Sequence, residues 1–226
     1  VPRETFASHD TKEGFEQHRQ WEATLADGGW SSVTWPKDLG GRGCDLIQWL
    51  IFEEEYAKAD APFRVNQNGI LLLGPTLMEF GTAAQKAKFL PEIAAGRLKA
   101  AISFTEPGGG TDLLGNLATA AERVDGGWVL NGEKIWSSSA HVADYLLCIA
   151  RTDKNVEKKH QGLTLFWVSA KSAGVKITPL AKLGMRSMGS CTVVYDNVFV
   201  ADANVLAEPN KAWYTLLPTL NNERIM

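Results

Sequence analysis

Residues 104–112 read Phe-Thr-Glu-Pro-Gly-Gly-Gly-Thr-Asp, and they directly follow the apolar run Ala100-Ala101-Ile102. This pattern predicts a strand that runs into a loop rich in glycine, hydroxyl and carboxylate groups. Glycine lacks Cβ and tolerates positive φ, so the backbone amides of such a loop can approach a polar ligand closely. The loop alone is weak evidence of binding, because most glycine-rich turns only reverse the chain.

A second segment, Trp136-Ser137-Ser138-Ser139, follows a predicted strand-turn-strand unit. An aromatic plane followed by hydroxyls at a strand end suits a flat heteroaromatic ring with polar edges. The two motifs, Thr-Glu-Pro-x-x-Gly-Thr-Asp from Thr105 and Asn-Gly-x-Lys-x-Trp-x-Ser from Asn131, resemble those of the acyl-CoA dehydrogenase family of flavoenzymes. Further blocks resemble the same family at residues 35–43, 81–91, 183–186 and 222–224.

The composition excludes several other classes of protein. The chain has 226 residues with 23 basic and 26 acidic side chains, and its formal net charge is −3. It therefore shows no basic stripe for nucleic acid and no cluster for a membrane surface. Three widely spaced cysteines, Cys44, Cys148 and Cys191, indicate reduced, buried thiols with neither a disulfide framework nor a metal site.

The order of predicted elements indicates an α+β fold. Residues 1–98 are expected to form an N-terminal all-α helical domain, because helical periodicity and capping residues recur there. Residues 99–211 carry short strands separated by polar turns, which favours an antiparallel β-barrel or sandwich as the middle domain. Residues 212–226 are expected to begin a C-terminal helical domain, and both ends read as cut from a longer protein. Truncation would expose apolar surface, so the isolated chain is expected to be marginally soluble.

Four helical features are specific enough to be checked. The segment from Asp45 through Lys58 is apolar on nearly all sides, which predicts a buried helix capped by Asp45. Gly74-Pro75 predicts a kink or break in a helix over 68–80. Pro91 is expected to interrupt the short helix that begins after Thr82, and Pro218 either kinks the last helix or delays its start.

The resemblance implies FAD as the cofactor and assigns residues to it. Thr105 would bind the pyrimidine edge of the flavin, and Gly110 and Thr111 would approach its pyrophosphate or the CoA of the substrate. Trp136, Ser137 and Ser138 would form the opposite wall, with the Ser138 hydroxyl nearest flavin N5. The full predicted cofactor set is Ile102, Phe104, Thr105, Gly110, Thr111, Trp136, Ser137 and Ser138, and Thr111 is also expected to contact substrate.

The catalytic carboxylate has two possible locations in the family. In a minority of members it lies at the start of the last helical domain, at the position that Glu223 occupies. In most members it lies further along that domain, and Glu223 would then be a surface glutamate paired with a neighbouring charge.

Four other polar residues have both a structural and a functional interpretation. Glu106, which precedes a proline in a tight loop, is expected to accept backbone N–H bonds, and Asp112 is expected to be a turn or cap residue. His141 could touch the ligand or be a satisfied polar residue. Arg186 could reach a phosphate or form a surface pair.

The resemblance implies α,β-dehydrogenation of an acyl-CoA, with electrons passed to an electron-transfer flavoprotein. It also implies a homotetramer or dimer in the cytoplasm, or in the mitochondrial matrix if the source is eukaryotic. Alternatives on the same scaffold are an acyl-CoA oxidase, a flavin monooxygenase or a binding and assembly protein without turnover. A helical-plus-β module unrelated to flavin would require both motifs to be coincidental.

Overall fold

The computed structural model describes residues 5–8, 11–184 and 189–223. Helices come first: α1 (Lys12–Asp27), α2 (Leu46–Lys58), a π-helical segment (Asn68–Leu73), α3 (Gly74–Phe80) and α4 (Ala83–Ala94). Eight strands follow, and a final helix α5 (Ala212–Glu223) closes the described part of the chain. This order confirms the α+β expectation.

The strands form one mostly antiparallel sheet. They are β1 (Ala100–Ser103), β2 (Ala120–Val124), β3 (Gly127–Ser138), β4 (Tyr145–Arg151), β5 (Leu163–Ser169), β6 (Val175–Pro179), β7 (Ser190–Ala201) and β8 (Val205–Leu206). Their order is β6-β7-β3-β2-β4-β5-β8, and β1 pairs in parallel with β4. A single parallel bridge joins β2 to β4, and the other strand pairs are antiparallel.

The central strands β4 and β5 are buried on both faces. Leu147 and Trp167 point toward the helices and belong to a cluster that includes Phe89 of α4. Leu146 and Phe166 point the opposite way, into a second cluster with side chains of β7. Because successive strand residues alternate in direction, these near-continuous apolar runs supply both clusters at once. The sheet thus folds around an inner core and carries the helices on its outer face.

Helix caps agree with the sequence. Asp45 and Thr82 each form a capping box, with Gln48 and Gln85 respectively. Each side-chain oxygen accepts a bond from the backbone N–H three residues later, which satisfies a donor that the first helical turn leaves unpaired.

The prediction that α2 is buried is wrong. Its aromatic face, with Trp49, Phe52 and Tyr56, is half-buried, but Leu46 and Ile47 are each 64% exposed, and Leu50 and Ile51 are exposed as well. Only one side of the helix contacts the other described elements, through pairs such as Trp30 stacked on Phe52 at 5.7 Å. The presence of apolar residues on nearly all sides of α2 therefore did not indicate that all its sides are buried.

The prediction that Pro91 interrupts α4 is also wrong. The helix continues to Ala94, and its hydrogen-bond ladder resumes where Ala95 N–H donates to the Pro91 carbonyl at 3.0 Å. The turn beyond Pro91 is held by Ile93 and Ala94, which are both buried in the cluster that the helices share with the sheet. Packing thus compensates for the N–H that proline lacks. Pro218 likewise lies inside α5 and does not delay its start.

The break predicted at Gly74-Pro75 is present as a change of helix type. Residues Asn68–Leu73 form a π-helical turn, and Gly74 N–H donates to the Gly69 carbonyl five residues earlier. The indole Nε1 of Trp35 donates to the Ile70 carbonyl at 2.8 Å. A wider turn leaves such carbonyls available, and π-helical turns are frequent at functional sites.

Among the described residues, no helix is both long and apolar enough to span a membrane, and no three His, Cys, Asp or Glu side chains cluster to hold a metal ion. The three cysteines are free thiols: Cys148 and Cys191 are buried, and Cys44 is only partly so.

Candidate functional site

A cavity of about 320 Å³ opens where β1, the end of β3, the loop after β1, the π-helical segment and α5 meet. Seven of the eight predicted cofactor residues line it: Ile102, Phe104, Thr105, Gly110, Thr111, Trp136 and Ser138. Two motifs that are far apart in sequence therefore face the same space. Its size lies in the range of small-molecule sites.

A buried ion pair holds the first motif in place. Lys134 Nζ lies 2.8 Å from Glu106 Oε1 and donates a further bond of 3.0 Å to the Phe104 carbonyl. Lys134 is fully buried and Glu106 is 5% exposed. The lysine of the Asn-Gly-x-Lys motif thus binds the loop that the first motif forms.

Glu106 also accepts two backbone N–H bonds, from Ala118 at 2.6 Å and Thr119 at 2.9 Å. This confirms the structural interpretation of Glu106. Burial by itself raises the pKa of Glu106, but the charge of Lys134 and these hydrogen bonds outweigh it and hold the pKa below its ordinary value. The carboxylate is thus an ionised brace for the loop and is turned away from the cavity lining.

The three loop glycines do not share one role. A Cβ on Gly109 would lie 2.7 Å from Cβ of Asn116, so a close approach of chain requires glycine there. Gly108 has open space around it, and a Cβ on Gly110 would meet only the Thr105 methyl at 3.7 Å. None of the three has positive φ. At Gly110 the absent side chain leaves its room to the cavity.

Asp112 ends the loop in a turn, since its Oδ1 accepts the Gly115 N–H at 2.8 Å. This confirms its expected role as a turn residue.

Trp136 lines the cavity although its side chain is exposed and its backbone conformation is unfavourable. It is 57% exposed and has φ of 62°, a left-handed conformation that is rare for a bulky residue. It sits where the β3–β7 register shifts between Lys134 and Ser137. Bulges and strained residues of this kind concentrate at sites where a side chain must be aimed at a ligand.

The two serines after Trp136 point to different places. Ser138 lines the cavity. Ser137 is buried, and its hydroxyl lies 3.4 Å from Ser103 Oγ, which also accepts a bond of 2.8 Å from Tyr195. Since strand residues alternate in direction, the Ser137 side chain faces the inner core and not the cavity.

Five lining residues were not in the predicted set: Asn68, Leu113, Ile135, Trp213 and Leu220. Trp213 and Leu220 are seven residues apart on α5, a spacing that places them on one helix face and was visible in the sequence. The kinked helix over 68–80 was expected to form part of the pocket floor, and Asn68, in its π-helical turn, is the residue of that helix that lines the cavity.

The described lining contains no ionisable side chain. It can cover a planar ring and supply hydroxyl and amide hydrogen bonds, but it offers no proton acceptor. Glu223 ends α5, three residues after Leu220, and its side chain lies outside the described part. Arg186 also lies outside the described residues.

His141 is not among the lining residues. Its Nδ1 lies 3.4 Å from Cys191 Sγ, and burial, followed by the charge of Lys99, lowers the pKa of the imidazole. The exposed imidazole therefore contacts the start of β7 and does not line the cavity.

Comparison with known proteins places these features in a family. The acyl-CoA dehydrogenase N-terminal domain matches residues 3–97, and the acyl-CoA dehydrogenase middle domain matches residues 101–198. Acyl-CoA dehydrogenase IpdE1 of Mycobacterium tuberculosis is 38% identical over 94% of this chain and 54% of its own length. The mitochondrial isovaleryl-CoA dehydrogenase of Arabidopsis thaliana is 34% identical over 86% of this chain and 47% of its own length.

The solved structure of the Tcur3481-Tcur3483 steroid ACAD superposes with a TM-score of 0.86 at 34% identity, and the match covers 99% of this chain and 56% of that one. The chain thus spans about half the length of the relatives it matches.

Proposed function

Since this chain belongs to the acyl-CoA dehydrogenase family, we propose that its cavity binds the flavin of FAD beside an acyl-CoA thioester. The observation that carries the proposal is the convergence of the two motifs, together with Ile102 and Phe104, on a cavity whose described lining has no ionisable side chain. A neutral, partly aromatic surface with a few hydroxyls suits a flat heteroaromatic ring.

The chain's own residues would hold and shield this ring. Thr105 would hydrogen-bond its pyrimidine edge, Trp136 would cover one face, and Ser138 would lie nearest N5. Gly110 and Thr111 would leave room for the pyrophosphate or the CoA. The backbone of Ser137 would contribute to the same wall, since its side chain is committed to Ser103.

The proposed reaction removes a proton from Cα and a hydride from Cβ of the acyl group. FAD, when bound, supplies the hydride acceptor. The carboxylate that takes the proton is proposed to be Glu223 or a residue of a further domain, because the described cavity lining has none. Leu220 brings α5 to the cavity, and Glu223 follows it by less than one turn.

We further propose a bulky acyl group as substrate, since one solved structure that matches 99% of this chain, at 34% identity, is a steroid ACAD. A short branched acyl group, as in isovaleryl-CoA dehydrogenase, is the competing choice. An electron-transfer flavoprotein as acceptor, a homotetramer or dimer, and a cytoplasmic or mitochondrial-matrix location remain proposals drawn from the family.

The test is FAD titration followed by anaerobic addition of steroid, isovaleryl and straight-chain acyl-CoAs while the visible flavin spectrum is recorded. Binding of FAD and bleaching by one class of thioester would support cofactor and reaction together. Binding without bleaching by any thioester would favour a monooxygenase or a protein without turnover. Failure of the protein to bind FAD would contradict the proposal.

A matched pair of tryptophan variants sharpens this test. Trp136→Ala should weaken FAD binding, whereas Trp30→Ala, which removes another partly exposed tryptophan outside the cavity lining, should not. Equal effects of the two changes would show that the cavity is not the FAD site.

A further inference from the structure

A second, much smaller cavity of about 10 Å³ lies beneath the start of the π-helical segment. It is lined by residues of α1, α4 and the chain before Asn68, among them Glu22, Arg64 and Asn66. Glu22 is 5% exposed and Asn66 is 3% exposed. This volume is about that of one water molecule.

Residues 65 and 66 are held from three directions at this point. Asn66 N–H donates to Glu22 Oε1 of α1 at 2.7 Å. The Asn66 side-chain amide donates to the Ile93 carbonyl at 3.2 Å and the Leu98 carbonyl at 3.1 Å. The ammonium of Lys99 donates to the Val65 carbonyl. These bonds join the helical region to the segment that enters β1.

Two buried oxygens at this junction have no hydrogen-bond partner among the described residues: Glu22 Oε2 and Asn66 Oδ1. When Glu22 is ionised, both are acceptors, and leaving them unsatisfied is unfavourable unless water enters. A proton on Glu22 converts one acceptor into a donor. These two oxygens therefore gain hydrogen-bond partners only when a proton or a water molecule is added.

The titratable groups that face Glu22 lie before β1, after α2 and within α2. Lys99 precedes β1, Arg64 follows α2 and is paired with Glu53, and the Tyr56 hydroxyl belongs to α2. Burial raises the pKa of Glu22 to about 7, against the opposing hydrogen bond from Asn66 and the charges of Lys99 and Arg64. Burial also lowers the pKa of Lys99 to about 8.

The junction is directly connected to the proposed flavin site. Asn66 precedes by two residues the Asn68 that lines the larger cavity, and Lys99 precedes by three the Ile102 on its opposite side. Asn66 therefore has a short covalent path to the cavity wall.

We propose that Glu22 is a proton-binding positioning residue. When protonated it leaves the junction closed, and when ionised it keeps its bond to the Asn66 N–H but draws water to the buried Oε2, which loosens the segment that leads to Asn68. Its consequence for FAD rests on the proposed function, whereas the proton site itself does not.

The first test is the pH dependence of unfolding in the wild type and in Glu22→Gln, which imitates the neutral acid. A carboxyl with a raised pKa stabilises the folded state fully below its unfolded value of 4.5, and this stabilisation is lost as the pH rises through about 7. Relative to Glu22→Gln, the folded-to-unfolded ratio of the wild type should fall by up to about tenfold per pH unit in this interval. Exposed Glu54→Gln should behave as the wild type, and identical pH slopes for Glu22→Gln and the wild type would overturn the proton site.

The second test is hydrogen exchange at residues 65–73, compared between wild type and Glu22→Gln at each pH so that the intrinsic rate cancels. Exchange should be equal in the two proteins at about pH 5.5 and several-fold faster in the wild type at about pH 8. A rate ratio that does not change with pH would overturn the positioning role.

The third measurement is FAD affinity at the same two pH values. Wild-type affinity should weaken several-fold toward the higher pH, and that of Glu22→Gln should not. Complete absence of FAD binding would contradict the proposed function, while the first two measurements would still test the proton site and the positioning role of Glu22.

Discussion

At the residue scale, the Lys134–Glu106 pair organises the loop that carries the first motif. A buried pair is not in itself a large source of stability, but removing one partner leaves a buried charge without compensation. We expect Lys134→Met to lower the free energy of unfolding by about 3–5 kcal/mol and to raise the pKa of Glu106. Denaturant titration at neutral pH measures the first effect.

The exposed pair Arg123–Asp202 is the natural control for Lys134→Met. Because water screens both of its charges, Arg123→Ala should cost much less stability than Lys134→Met. Equal losses for the two variants would show that burial does not govern the strength of the inner pair.

Trp136 is expected to serve binding and not stability. Trp136→Gly removes an exposed side chain and a left-handed strain together, so its free energy of unfolding should stay within about 1 kcal/mol of the wild type. FAD binding should weaken by about 0.5–1.5 kcal/mol through the lost aromatic contact. Trp136→Phe, which keeps a ring, should retain part of the affinity, and calorimetric titration measures all three proteins.

At the scale of the element, the π-helical segment depends on Trp35 and Gly74. A Cβ on Gly74 would lie 2.1 Å from Cζ2 of the Trp35 ring. Alanine normally favours a helix over glycine, but here overpacking should dominate, and Gly74→Ala should cost about 1–3 kcal/mol. Denaturant unfolding, with FAD affinity as a second readout, checks this expectation.

Gly108→Ala is the matched control, because a Cβ there would have no neighbour within 4 Å and φ is not positive. Its stability should differ from that of the wild type by less than about 0.5 kcal/mol. A loss comparable to that of Gly74→Ala would refute the steric explanation.

At the scale of the whole molecule, the helices and the sheet share one core. Phe89 of α4 stacks on Trp167 of β5 with ring centroids 5.2 Å apart, in a cluster that also includes Leu216 of α5. Phe89→Ala should cost about 3–5 kcal/mol, whereas Phe199→Ala, on the exposed side of β7, should cost less than about 0.5 kcal/mol.

The shared core also predicts that helical and β regions unfold together. Far-ultraviolet and near-ultraviolet circular dichroism should give coincident transitions, with one calorimetric peak. Two separated transitions would show that the contact between the helices and the sheet is weak.

The sequence by itself determined the class of fold, the order of helices before strands, the helix starts after Asp45 and Thr82, and the two motifs. These features are local, since they depend on spacing, propensity and residues that cap or turn the chain within a few positions. Glu106 and Asp112 were interpreted correctly for the same reason, because their partners lie on the loop that the motif begins. The pairing of Glu106 with Lys134 joins the two motifs through space, and no local pattern specified it.

Only the tertiary structure decided which faces are buried and which side chains meet. It left the aliphatic face of α2 exposed, carried α4 past Pro91, turned Ser137 inward and brought Asn68, Trp213 and Leu220 to the cavity. Each of these outcomes is set by packing against segments far away in the chain. Whether a side chain is buried, and which side chains meet at a cavity, depends on how two or more elements pack together. A single stretch of sequence does not specify the element that packs against it.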